Sequence, residues 1–261
     1  MRVARWVWVG RCGLLGFVLL LGIGGIGPFG ERAWGQFQPK EPHLSLTVDI
    51  GFSSRNIEES GQVPGGGSFS ASGTADSVPL LATLAYTPIP QLTLYAVGGG
   101  TSLQINDFDG YSSNLGGTYG GGLTLSYNVM PGAAVFLDGR YLRYVTDDTV
   151  VMQCGGGVLC PSGTGETITW NEYRARLGVK SRSFVSTYGG IQVSFVRGDD
   201  HINHFQNTGS PVTFSIKEQD EVGVFGGVSI PLDPLRRIRF FTEFNLFDEY
   251  AIHGGLTFAL L

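Results

Sequence analysis

From His43 onward, apolar and polar residues alternate with a period of two, the mark of a half-buried strand. His43–Phe52 places Leu44, Leu46, Val48, Ile50 and Phe52 on one face. Val78–Tyr86 places Val78, Leu80, Ala82, Leu84 and Tyr86 together. Gln91–Ile105 offers two faces, Leu92/Leu94/Ala96/Gly98 or Tyr95/Val97, and the first is taken as outward. Tyr119–Val129 aligns Tyr119, Leu123, Leu125, Tyr127 and Val129, and Ala133–Val145 aligns Val135, Leu137, Tyr141 and Val145. Thr169–Lys180 aligns Tyr173, Ala175, Leu177 and Val179, and Val185–Phe195 aligns Val185, Ile191, Val193 and Phe195. Glu221–Ile230, Ile238–Leu246 and Tyr250–Leu260 complete the set, which predicts ten strands, or eight if two weak segments merge.

The connections fall into two lengths. Short ones (87–90, 130–132, 181–183, 231–236) alternate with long ones (53–77, 106–118, 146–168, 197–211), until a tight last turn at Asp248-Glu249. Short turns on one rim and long loops on the other are the organisation of an outer-membrane barrel, with an even strand count. The predicted fold class is therefore all-β: an antiparallel up-and-down transmembrane β-barrel over residues 43–261.

The first 35 residues read as an export signal. Arg2, Arg5 and Arg11 precede an uncharged stretch from Cys12 to Gly27, and Ala33-Trp34-Gly35 offers a cleavage site before Gln36. Residues 36–42 would be a short periplasmic segment. Removal of 1–35 takes four of the 17 Lys/Arg and one of the 22 Asp/Glu, leaving a net charge of about −8. Composition agrees with β structure: 41 glycines, 12% aromatic and only 15% charged residues. An acidic chain without a basic stripe argues against nucleic acid as a partner.

The strand charges lie opposite the apolar face. Asp138, Arg140, Glu172, Arg174, Arg176, Arg239 and Glu243 would project into the lumen, as an ion-pair network or as a charged constriction selecting small solutes. A soluble barrel with its apolar face inward would show the same periodicity. Ring-Gly-Gly echoes at Tyr119, Tyr188, Phe225 and His253 suit a curved sheet in which an aromatic covers the glycine gap. Cys154 and Cys160, six apart in a long loop of an exported chain, predict a disulfide contributing ~2 kcal/mol. No nucleophile elbow, phosphate loop or zincin motif occurs, and neither a cofactor nor a metal is expected.

Two resemblances follow from these residues. The whole pattern, with the alternating final segment Tyr250, Ile252, Leu256 and Phe258, resembles the small outer-membrane β-barrels of the porin/opacity-type superfamily, although this chain ends in Leu261 rather than an aromatic. That resemblance implies the cell outer membrane, with outer-membrane lipid, lipopolysaccharide and barrel-insertion machinery as partners. It also implies a non-enzymatic structural or surface-interaction barrel whose long loops could hold an extracellular partner. Asp107-x-Asp109 and Asp199-x-His201, each in a long loop, resemble the acidic pair and the Asp-His pair of the omptin proteases. That resemblance implies Asp107 and Asp109 holding a water, Asp199 orienting His201, and His201 as general base. His201, His204 and Asp199 could alternatively bind a metal weakly.

Overall fold

The computed structural model describes residues 43–63, 67–106, 111–148, 153–154, 158–159, 166–181, 183–205 and 210–261. The expected signal peptide and the segment 36–42 lie outside them. Among the described residues there are thirteen strands: β1 Leu44–Val63, β2 Gly67–Ile89, β3 Leu92–Asn106, β4 Tyr111–Met130, β5 Ala133–Asp148, β6 Gln153–Cys154, β7 Val158–Leu159, β8 Glu166–Ser181, β9 Ser186–Phe205, β10 Ser210–Glu218, β11 Val222–Pro231, β12 Ile238–Leu246 and β13 Tyr250–Ala259. β6 and β7 pair only with each other. The rest form one antiparallel sheet closed by β1–β2 and β10–β9 contacts. The tight turns need particular backbone: Gly132, between β4 and β5, has φ +84°, which glycine adopts without penalty.

The ring has two strand counts. Near the short turns, β1 pairs with β13 from Ser45↔Ala259 to Ser54↔Tyr250, and β9 pairs with β11 up to Val193↔Val222. Ten strands close the barrel there. Further toward the long loops β11, β12 and β13 have ended, and β10 takes their place. It pairs with β1 from Ile57↔Glu218 and with β9 from Arg197↔Lys217, so eight strands close the ring. Ten is the count expected from the sequence; the eight-strand ring above it comes from β10, not from a merging of weak segments.

The polarity of the two faces inverts at the same height. On β1 the outward face is apolar from Leu44 to Phe52, then polar at Ser54, Asn56, Glu58 and Ser60. On β2 it is polar from Ser68 to Asp76 and apolar from Val78 to Tyr86. On β8, Thr167, Thr169 and Asn171 give way to Tyr173, Ala175, Leu177 and Val179. Nine residues at ~3.4 Å each, tilted 35–45°, span roughly 20 Å of height, near the ~25 Å apolar band of a membrane barrel. Above that band the inward face carries the apolar residues instead. Ile57, Leu103, Ile105, Leu142, Tyr144, Ile168, Trp170, Val196 and Ile216 are all buried, and Trp170 packs edge-on against Tyr144 with ring centres 5.4 Å apart. Three acids, Glu59, Glu166 and Asp200, are buried at this level too, each with a partner.

The long connections are therefore shorter than expected. Residues 53–77 are mostly paired strand, with β1 and β2 hydrogen-bonded out to Val63↔Gly67. Residues 197–211 are largely β9, running to Phe205, and β10 is a strand that the outward pattern did not predict. The reason is physical. An apolar-outward strand leaving the membrane needs its apolar residues inward, so a search for one continuous apolar face stops at the membrane boundary. On β3 the outward set is Leu92, Leu94, Ala96 and Gly98, with Tyr95 and Val97 facing in.

Candidate functional site: a charge layer across the barrel

The inward side chains form three levels, and the middle one is ionic. It lies where ten strands become eight. Arg55 of β1 is 3% exposed and reaches three acids: Glu172 of β8 at 3.1 Å, Glu218 at the end of β10 at 2.8 Å, and Glu249 in the last turn at 2.5 Å. Arg174 joins Glu172 at 2.9 Å and Glu249 at 2.6 Å, and Arg140 joins Glu172 at 3.0 Å. Three guanidiniums thus face three carboxylates, and the forks of Arg55 and Arg174 each serve more than one acid. Tyr144 donates to Glu172 at 3.3 Å, and Asn245 donates to Glu249 at 2.7 Å.

The geometry explains why charge is needed here. The β12–β13 turn ends inside the wall, beneath the place where β10 enters, and among the described residues no strand pairing joins the two. Phe247 in that turn has φ +86°, a left-handed backbone that costs a bulky residue on the order of 1–3 kcal/mol. Asp248 accepts from Gln192 at 2.7 Å and lies 3.2 Å from the Ser194 hydroxyl, which also lies 2.9 Å from Glu218. Arg55 and Arg174 then clamp Glu249. The layer sews the end of β10 and the tip of the last hairpin to β1, β8 and β9.

Nearer the short turns the lumen is filled by a second set. Arg176 pairs with Glu243 at 2.9 Å, donates to Gln192 at 3.0 Å and stacks over Phe225 at 4.9 Å. Asp138 accepts from Thr124 at 2.6 Å and Tyr95 at 3.1 Å, and Arg239 donates to Ser229 and Ser186. Glycines let the rings in: a Cβ on Gly227 would stand 2.5 Å from the Tyr188 ring.

The structure places Asp138, Arg140, Glu172, Arg174, Arg176, Arg239 and Glu243 on the inner face, each with at least one of these partners. The sequence reading missed Arg55, Glu218, Asp248 and Glu249. Arg55 continues the inward phase of β1 past Phe52, and Glu218 follows the inward apolar set Val212, Phe214 and Ile216, so extending the alternation with inverted polarity would have found both. Nothing in the sequence shows that Asp248-Glu249 turns inward.

The protease-like residues are not brought together among the described residues. Asp107 and Asp109 lie outside them. Asp199 and His201 are exposed on the outer face of β9, flanking the inward Asp200, and the His201 Nδ1 sits 3.0 Å from the Thr213 hydroxyl. No group of three metal-ligating side chains occurs among the described residues. Cys160 lies outside them, so the Cys154–Cys160 pairing does too.

No family model and no curated protein matches the chain. Solved structures do. The outer membrane protease OmpT from Escherichia coli superposes with a TM-score of 0.51 at 11% identity, over 86% of this chain and 98% of that one. The translocator domain of the autotransporter NalP from Neisseria meningitidis gives 0.45 at 9% identity, over 85% and 90%. The toluene transporter TbuX from Ralstonia pickettii gives 0.38 at 10%, over 84% and 89%. At such identities the likeness speaks for fold alone. With the closed antiparallel ring and its outward apolar band, the likeness to OmpT gives this chain the fold of an outer-membrane β-barrel.

Proposed function

We propose that the protein is a closed, non-enzymatic barrel that holds an eight-stranded β structure above the membrane as a surface for interaction. The short turns then face the periplasm and the long-loop end faces outside. The observation that carries this reading is the lumen itself: filled below by rings and ion pairs, crossed by the Arg55 layer, and capped by an apolar core. An eight-stranded ring is just wide enough for side chains to fill. Solute selection would call for a continuous polar path, whereas Ile57, Leu142, Trp170 and Ile216 occupy the axis side of the wall above the charges. Asp199 and His201 point away from that axis, which favours a non-catalytic role for them.

Conductance of the refolded barrel in a planar bilayer tests the proposal. Silence is expected from protein that still runs as a heat-modifiable folded band. Discrete, reproducible steps that change with Arg174→Ala would establish the pore instead.

A further inference from the structure

The rim at the long-loop end is uneven. β1 and β2 stay paired up to Val63↔Gly67, whereas β3 pairs with β2 only from Asn106↔Thr74 downward. On its other side β1 is covered by β10 as far as Gly61↔Phe214. Gly67–Gly73 of β2 is therefore laddered to β1 alone, and among the described residues no strand lies along its other edge. In an antiparallel sheet alternate residues aim both main-chain groups to the same side. Roughly half of the residues from Gly67 to Gly73 thus offer an N–H and a C=O to the open side.

The residues on this edge are not those that guard one. Exposed edges are ordinarily blunted by lysine, proline, a bulge or an inward charge. Gly67-Ser68-Phe69-Ser70-Ala71-Ser72-Gly73 has none of these, and its register with β1 is unbroken from Ile57↔Gly73 to Val63↔Gly67. Ser68, Ser70 and Ser72 face outward and are exposed, while the inward Phe69, Ala71 and Gly73 are half-buried. Phe69 lies against Phe214 of β10 with ring centres 5.2 Å apart, so Ala71 and Gly73 form a shallow step beside an aromatic wall. The outer face around the edge is acidic. Glu58 accepts from the Ser70 hydroxyl at 3.3 Å and pairs with Lys217 at 3.2 Å. Asp76, at the foot of the edge, accepts from the Asn106 amide at 3.0 Å, and Asp220 accepts from the Asn56 amide at 2.9 Å. On β1, β2 and the end of β10, these three carboxylates meet one ammonium.

We propose that Gly67–Gly73 docks an extended peptide segment of a partner protein as an added antiparallel strand. The segment turns apolar side chains inward onto Phe69, Ala71 and Gly73, and basic or hydroxyl side chains outward toward Glu58 and Asp76. Main-chain hydrogen bonds give such a complex its affinity, and the alternate side chains give it selectivity. The acidic surround selects a basic partner. A peptide fits this edge better than a second copy of the chain. β2 runs from the long loops to the short turns in every copy, so two barrels in one membrane meet with these strands parallel. That is the less stable pairing, whereas a free segment takes the antiparallel direction. The inference rests on the reading of the upper barrel as an interaction surface, and it does not depend on closure of the lumen.

The test uses the full barrel refolded in detergent micelles and a labelled nine-residue peptide that alternates Val with Lys and Thr, followed by fluorescence anisotropy. The wild type should bind it about tenfold more tightly than the same peptide with Glu in place of Lys. A strand added at an edge uses one of its own edges only. Methylating one alternate set of peptide amide nitrogens should therefore abolish binding, and methylating the other set should leave it within about twofold. Ser68→Lys with Ser72→Lys keeps the ladder to β1 and should weaken binding about tenfold. Ser70→Pro and Ala71→Pro remove N–H groups that point to opposite sides, so one of the two should keep the folded band and lose the peptide. Should neither proline variant fold, the lysine pair carries the same decision. The proposal is overturned if both methylated peptides bind like the parent or if the lysine pair leaves binding unchanged. It is also overturned if sedimentation shows copies of the barrel pairing through this edge and excluding the peptide. A conducting barrel that binds the peptide would refute closure of the lumen and uphold the edge; a silent barrel that ignores the peptide would do the reverse.

Discussion

Replacing Arg55 by Met tests the charge layer at its most connected point. Met keeps the unbranched stem and removes three ion pairs, to Glu172, Glu218 and Glu249, whose side chains are 1–2% exposed against 3% for Arg55 itself. Arg140 and Arg174 still neutralise Glu172 and partly Glu249, but Glu218 loses its only ion pair among the described residues and keeps the Ser194 hydroxyl. Breaking a buried pair from one side costs about 3–5 kcal/mol, because the partner's charge stays buried. The upper half of that range is expected, since Arg55 holds the end of β10 and the last turn at once. In a chain beginning at Gln36, Trp170 is the single tryptophan, so its emission reports the core above the layer without interference. Equilibrium unfolding by urea in lipid vesicles, followed by that emission, gives the difference directly. Adding Glu218→Gln to Arg55→Met should recover part of the loss, with a coupling of about 0.5–3 kcal/mol. A destabilisation by Arg55→Met below ~1 kcal/mol, or no recovery in the double variant, would refute the idea that the layer sews the strands together.

Three further outcomes are expected. Leu142→Ala, in the fully buried heart of the upper core, should cost about 2–5 kcal/mol by the same assay, and a cost under ~0.5 kcal/mol would show that residues 142–170 line a solvated space. His201→Ala, on the exposed outer face of β9, should leave stability within about 0.5 kcal/mol and leave the protein without peptide cleavage before and after the change; cleavage abolished by the substitution would establish the protease reading. Asp233 in a short turn accepts from the Ile238 N–H at 2.7 Å, which holds its carboxyl below the usual carboxylate range. Its contribution is present above the ordinary carboxylate pKa and lost as pH falls through the lowered value, so a carboxyl shift titrating at or above ~3.9 would contradict it.

Much of the membrane half was legible because lipid enforces one rule along every strand: apolar side chains outward, from Val48, Ile50 and Phe52 around to Leu256 and Phe258. The inward charges followed as the complement of that face. The upper half was hidden by the reversal of the rule. Val212, Phe214 and Ile216 alternate as cleanly as any membrane strand, but their apolar set faces the axis, and Ser53–Ser77 reads as a polar loop only because its outward residues meet water. Residues that depend on long-range closure carried no local signal. Glu249 is an ordinary turn residue until β10 is laid across the end of its hairpin, and Gly67–Gly73 is an open edge only because β1 and β2 stay paired beyond the end of β3.

Trp170 reports the inversion of polarity between the two halves of the barrel. Its indole should be screened from water although it stands above the membrane. In vesicles, emission from the chain beginning at Gln36 is therefore expected to resist both iodide in the buffer and brominated acyl chains in the bilayer. Strong quenching by iodide would mean an open, wetted lumen at that height, and strong quenching by the brominated lipid would mean that the strand faces are the reverse of those described.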